Sequence, residues 1–140
     1  MSYLLDTNVV SELRKRKPDP QVTAWFDATP QAELYLSCLT VGEIRRGIER
    51  LRGRDEVQAR AIDRWLAGLR LLYQDRVVPV DAAIADRWGR LGAAATLPAI
   101  DGLLAATALT RDWTIVTRNV TDFRPSGARV LNPWEHPAAG

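Results

Sequence analysis

Four acidic residues stand at the edges of apolar segments in this chain. Asp6 follows Tyr3-Leu4-Leu5, Glu43 lies in Leu39-Thr40-Val41-Gly42-Glu43-Ile44, Asp101 in Ala99-Ile100-Asp101-Gly102-Leu103, and Asp122 in the stretch Thr117 to Phe123 after Ile115-Val116. Carboxylates gathered in one place, with neither histidine nor thiol among them, offer only oxygen donors. Such a set favours a hard ion, Mg²⁺ or Mn²⁺, over zinc.

The acids meet only if the elements that carry them share an edge. Tyr3-Leu4-Leu5 reads as a short buried strand, and Val9, Val10 and Leu13 then recur at helical spacing until the basic run Arg14-Lys15-Arg16-Lys17 and Pro18. A short helix is expected around Val22, Trp25 and Phe26, a strand at Leu34 to Ser37, and a helix from Thr40 through Ile44, Ile48 and Leu51 to the Gly53 region. A longer amphipathic helix should carry Val57, Ala61, Trp65, Leu66 and Leu69. Val77-Val78-Pro79-Val80 reads as a short strand at an edge or with its terminus at the proline, because proline cannot donate to a ladder. Asp81 caps a helix with Ile84, Trp88 and Leu91 that runs out in the small residues Ala93 to Ala95, Asp101 opens the next helix, and Trp113 to Thr117 and Ala128 to Leu131 are strands. Strands separated by one or two helices predict an α/β fold, a mostly parallel sheet covered on both faces. In such a sheet strand C-termini and helix N-termini share one edge, so all four acids can reach a single crevice.

Each acid also has an ordinary structural explanation. Thr40 and Glu43 match a Thr-x-x-Glu capping box with Leu39 and Ile44 as its hydrophobic staple. Asp6 and Asp101 sit where an N-cap contributes about 1 kcal/mol, and Asp122 suits a turn. Convergence changes the balance, because two carboxylates about 4 Å apart repel by roughly 4 kcal/mol at an effective dielectric of 20, more than a cap returns. A cation or a retained proton must then offset the repulsion.

The rest of the composition narrows the chemistry. Both lysines lie before residue 18, which removes a P-loop lysine or a Schiff-base lysine from the body of the chain. The single histidine, His136, sits in the stretch from Pro133 to Pro137, which speaks against a Ser-His-Asp triad and a histidine-based zinc site. Carboxylates, hydroxyls and arginines remain. The one cysteine, Cys38, allows no internal disulfide and is expected as a small core residue of a protein in a reducing compartment. With 140 residues, 46% of them hydrophobic and 26% charged, the chain reads as one globular domain over 1–140, with 133–140 as a tail. No membrane span or signal peptide is apparent, so a cytoplasmic protein is expected. The net charge is only +2, but Arg14 to Lys17 and Arg45, Arg46, Arg50, Arg52 and Arg54 are clustered. Cations beside an acidic crevice suit a polyphosphate backbone.

Asp6-Thr7-Asn8 after a short strand, Thr40-Val41-Gly42-Glu43-Ile44 opening a helix, Asp101-Gly102-Leu103-Leu104-Ala105-Ala106-Thr107-Ala108, and Thr117-Arg118-Asn119-Val120-Thr121-Asp122-Phe123 after a strand together resemble the PIN domain. More narrowly, the chain resembles the VapC-type ribonuclease toxins of bacterial toxin-antitoxin pairs. The resemblance implies a parallel sheet flanked by helices, a Mg²⁺-dependent endoribonuclease in which Mn²⁺ can substitute, a homodimer, and a VapB-type antitoxin that blocks the site. It makes Asp6 and Asp101 metal ligands, gives Glu43 a water-mediated hold on the metal or the orientation of the attacking water, and makes Asp122 the fourth acid. Asn119 stands where some relatives place an aspartate, so either Asn119 or Asp122 completes the site. Thr7 and Thr117 become supporting hydroxyls and Arg118 a contact for substrate phosphate. The implied reaction is hydrolysis of an RNA phosphodiester by metal-activated water; the alternative is a catalytically inactive PIN-like domain that binds nucleic acid or acts as a scaffold. Haloacid-dehalogenase phosphatases and receiver domains also begin with a strand and an aspartate. Both need a lysine late in the chain, and the phosphatases a second aspartate where Asn8 stands.

Overall fold

Leu4 and Leu5 are both buried although successive residues of a strand point to opposite faces, so the first strand is covered on both sides. In the computed structural model, which describes residues 1–94 and 96–137, this strand is the middle one of the sheet. Ala95 and residues 138–140 lie outside the described residues, and with them the end of the small-residue stretch and of the expected tail.

The elements are β1 (Tyr3–Leu5), α1 (Thr7–Arg14), α2 (Pro20–Ala28), β2 (Leu34–Ser37), α3 (Cys38–Leu51), α4 (Glu56–Leu72), β3 (Val77–Val78), α5 (Ala82–Ala94), α6 (Ala99–Arg111), β4 (Thr114–Val116), α7 (Val120–Phe123) and β5 (Val130–Leu131). The sheet order is β3-β2-β1-β4-β5, and every pairing is parallel. Tyr3 stands opposite both Leu34 and Thr114, so β1 is paired on both edges. The Val77 segment is an edge strand, as its proline requires.

The two faces carry separate cores. Leu5, Leu36 and Val116 pack with Val9, Ile48 and Leu66 beneath α1, α3 and α4. Leu4 and Ile115 pack with Leu104, Ala105 and Phe123 beneath α6 and α7. Trp25 is 4% exposed and packs edge-on against Tyr3, so it belongs to the core. Cys38 is only half-buried, not the core residue expected. In α4 the inward face is Ala59, Ile62, Leu66 and Leu69, whereas Val57 is 80% exposed; the expected stripe started on the wrong side of the helix. The turn Pro133–Glu135 folds back on α2, and Trp134 joins the first core.

Two helix starts differ from expectation in ways that matter for the acids. α3 begins at Cys38, capped by Ser37, whose hydroxyl accepts from the Leu39 N–H at 3.0 Å. Thr40 is therefore inside the first turn and buried, and its hydroxyl has no partner; the Thr40–Glu43 capping box does not form. α6 begins at Ala99 after Pro98, so Asp101 lies within the first turn and caps nothing. Neither Glu43 nor Asp101 is explained by helix initiation. Asp6 does cap α1, accepting from the Thr7 N–H at 2.8 Å.

Candidate active site

From β1 the chain crosses to β2 and β3 on one side, and later enters β4 and β5 on the other. The order reverses between β1 and β4, and open α/β sheets bind ligands outside the strand C-termini at such a switch point. Asp6 follows β1 there and Thr117 follows β4, their backbones joined through the Asp6 N–H, which donates to the Val116 carbonyl at 2.9 Å. Glu43 reaches the same edge from the second turn of α3, Asp101 from the first turn of α6, and Asp122 from α7.

Asp6 is the most enclosed of the four acids, with 8% exposure. Thr117, fully buried, donates its hydroxyl to Asp6 Oδ2 at 2.8 Å. Asn8 donates from Nδ2 to Asp6 Oδ2 and to Thr117 Oγ1, both at 3.4 Å. The Thr117 oxygen also accepts from the Asn119 N–H at 3.0 Å, and Asn8 Oδ1 accepts from the Arg118 N–H at 3.3 Å. This lattice fixes one carboxylate oxygen of Asp6 and ties the loop after β4 to α1. Glu43 is exposed, and its Oε1 accepts from the Thr7 hydroxyl at 2.6 Å.

The electrostatics show that the acids share one field. Burial raises the pKa of Asp6; the hydrogen bonds from Thr117 and Thr7 oppose the rise, and the charges of Asp101 and Glu43 add to it. Asp101 is also raised, first by burial and then by the charges of Asp122 and Glu43. Glu43, Asp101 and Asp122, from three separate segments, thus contribute to the raised pKa of Asp6 or of Asp101. Arg118 does not join them: its guanidinium lies 5.0 Å from the Trp134 ring centroid, and its charge helps to lower the pKa of Glu12. It lines a hollow of about 360 Å³ with Asn119, Asp122, Arg124, Asn132 and Glu135.

The donor set meets the requirement for a hard cation, since every side chain of the cluster presents oxygen or amide. Among the described residues no three histidine, cysteine, aspartate or glutamate side chains are already drawn together as a metal-holding group.

A model of the PIN domain matches residues 3–124. The chain belongs to the PIN-domain family. It is 36% identical to the VapC ribonuclease Y4jK of Sinorhizobium fredii over 140 aligned positions, covering 94% of this chain and 97% of that one. It is 32% identical to the toxin FitB of Neisseria gonorrhoeae, covering 94% of this chain and 97% of the relative. The crystal structure of FitAcB from Neisseria gonorrhoeae superposes on this PIN domain with a TM-score of 0.87 at 31% identity, over 95% of this chain and 99% of that chain.

Two polar residues of this PIN domain were not singled out in the sequence. Asn8 bridges Asp6, Thr117 and the backbone of Arg118, and its signal was an asparagine in a first helical turn, where local propensity does not favour it. Glu12 is buried in α1, accepting from Lys15 Nζ at 2.8 Å and from the Asp19 N–H at 2.9 Å. It fixes the entry of α2 rather than the site.

Proposed function

We propose that the chain is a Mg²⁺-dependent endoribonuclease and the toxin of a toxin-antitoxin pair. The observation that carries the reading is that burial raises the pKa of both Asp6 and Asp101 beside the switch point of the sheet, with the charges of Asp101 and Glu43 adding to the first rise and those of Asp122 and Glu43 to the second. Relatives named ribonuclease and toxin match across nearly the whole chain.

Asp6 and Asp101 would hold the cation. When bound, the ion supplies polarisation of a phosphoryl oxygen and lowers the pKa of a coordinated water. Thr117 and Asn8 fix Asp6 in the orientation that presents its carboxylate. Thr7 holds Glu43 where it can orient the attacking water and take its proton. Asp122 completes the acidic set, with Asn119 bound through its backbone to Thr117 and facing the hollow beside it. Arg118, stacked on Trp134, meets a substrate phosphate at the rim of that hollow. Water attack forms a new P–O bond as the bridging P–O bond of the RNA backbone breaks, and the leaving ribose oxygen takes up a proton from solvent.

The chain acts as one PIN domain, as a homodimer whose site a VapB-type antitoxin blocks. Among the described residues no helix is long and apolar enough to cross a membrane; the cytoplasm is the proposed location. Cleavage of a structured RNA pool tests the reading, with Mg²⁺ or Mn²⁺, with EDTA, and with Asp101→Asn. Cutting should vanish under both the chelator and the substitution. No cutting with either metal, or cutting untouched by the substitution, overturns it.

A further inference from the structure

Arginines follow Glu43 at positions 45, 46, 50, 52 and 54, and the structure divides them. Arg45 and Arg52 turn toward α4 and are neutralised there. Arg45 donates to Asp63 at 2.9 Å, while Arg52 reaches Asp63 at 2.9 Å, Glu49 at 2.5 Å and Glu56 at 3.2 Å. Arg46 and Arg50 are exposed and form no ion pair among the described residues. Glu43, one turn before Arg46, already accepts from Thr7, and Glu49, one turn after it, is paired with Arg52.

At about 100° per residue, positions 43, 46 and 50 share one face of α3, and at a rise of ~1.5 Å per residue the two arginines lie roughly 4.5 and 10.5 Å beyond Glu43 along the axis. That face forms a groove of about 400 Å³ lined by Leu39, Gly42, Glu43, Arg46, Arg50 and Ile100. Ile100 immediately precedes Asp101. The groove therefore starts at Glu43, beside the residue that precedes Asp101, and runs outward past two guanidinium groups that form no ion pair among the described residues. On the opposite side Asp122 lines the hollow that holds Arg118 and Arg124.

We propose that the α3 groove binds the sugar-phosphate backbone of the RNA strand on one side of the cut bond. Arg46 and Arg50 contact its phosphates, and Leu39 and Ile100 offer an apolar wall to a ribose or base. Guanidinium groups suit this work because their planar forks match phosphate oxygens in pairs. The strand then crosses the acids from the α3 groove toward the hollow of Arg118. This assignment rests on the ribonuclease reading.

The test uses the full chain and fluorescent single-stranded RNA oligonucleotides of mixed sequence, with binding followed by anisotropy in EDTA across a salt series. R46Q/R50Q should weaken binding about tenfold and flatten the slope of log K against log salt by about 1.4, the loss of two single-strand phosphate contacts. Gly42→Leu should also weaken binding while keeping the fold, because a Cβ at Gly42 meets nothing within 4 Å and leucine favours a helix interior. R60Q/R64Q on the outer face of α4, an equal change of charge, should leave both quantities unchanged. The groove is overturned if R46Q/R50Q and R60Q/R64Q behave alike, or if Gly42→Leu binds as the parent does. A parent chain that cuts no RNA with Mg²⁺ or Mn²⁺ overturns the ribonuclease reading itself; a parent that cuts normally beside an unaffected R46Q/R50Q overturns only the groove.

Discussion

The hydroxyl of Thr7 donates to the carboxylate of Glu43 at 2.6 Å, joining the first residue of α1 to the second turn of α3. Thr7 follows Asp6 in sequence, so the residue that caps α1 and the residue that aims Glu43 are neighbours on one backbone. Thr7→Val keeps the side-chain volume and removes the donor. It should lower kcat by roughly 10- to 100-fold, the range seen when a group that orients a metal-site ligand is lost, while Thr7→Ser restores most of the rate. The stability change should stay near ~1 kcal/mol, since one hydrogen bond to an exposed acid is removed. Steady-state cleavage rates and thermal melts of both variants decide this; equal rates in the parent and Thr7→Val would remove the positioning role.

Thr117 acts on Asp6 in a different way. Its hydrogen bond opposes the rise that burial imposes on the Asp6 pKa. Thr117→Val removes that opposition, so the Asp6 proton becomes harder to lose and competes longer with the cation as pH rises. The acid limb of the pH-rate profile should move to higher pH with the plateau less affected. A profile that falls uniformly, without moving along the pH axis, would show that Thr117 does no more than support the fold.

The raised pKa of Asp101 carries a sign for stability. Its unfolded form releases the proton first as pH rises, so between the ordinary and the raised value the folded state holds more protons and loses stability with increasing pH. Without metal that deficit persists at neutral pH. Asp101→Asn in EDTA should therefore melt at or above the parent at pH 7, the difference closing near pH ~3 where the parent acid is protonated. With Mg²⁺ the parent gains stability by ligand linkage and the variant gains less. Glu12 provides the opposite sign: the hydrogen bond from Lys15 holds its pKa down, so its stabilisation is present at neutral pH and lost on acidification. Glu12→Gln should melt below the parent at pH 7 and converge with it in acid. Thermal denaturation across pH, with and without Mg²⁺, reads both; an Asp101→Asn chain that melts below the parent in EDTA would contradict the assigned field.

What the sequence revealed of this fold followed periodicity and punctuation. Leu34 to Ser37 was found as a strand residue for residue, and Pro79 marked an edge, because burial on both faces and a missing donor leave local traces. The position of the acids at one sheet edge was legible for the same reason, since alternating strands and helices leave few topologies. Their partners were not. Asn8 binds Thr117 across 109 positions and Thr7 binds Glu43 across 36, and no local pattern records contacts of that range. The division of the arginines was hidden likewise: Arg45 and Arg46 look alike in sequence, and only the packing of α3 on α4 gives Arg45 to Asp63 and leaves Arg46 to solvent.

The start of α3 was misread because two residues, Ser37 and Thr40, both suit an N-cap, and the burial of Ser37 at the end of β2 settles the choice. The two alternatives make opposite predictions for substitution. Ser37→Ala should cost about 1 kcal/mol through loss of the cap on the Leu39 N–H. Thr40→Val should be neutral or stabilising, because the buried Thr40 hydroxyl has no hydrogen-bond partner and leaving a polar group so costs about 1–3 kcal/mol. Had Thr40 capped the helix and drawn Glu43 back to its own N–H, Thr40→Val would be the destabilising change and Ser37→Ala the neutral one. Urea denaturation of the two single variants separates these cases. The order of their midpoints also bears on the chemistry, because a Glu43 engaged in a capping box could not accept from Thr7 at the mouth of the acidic crevice.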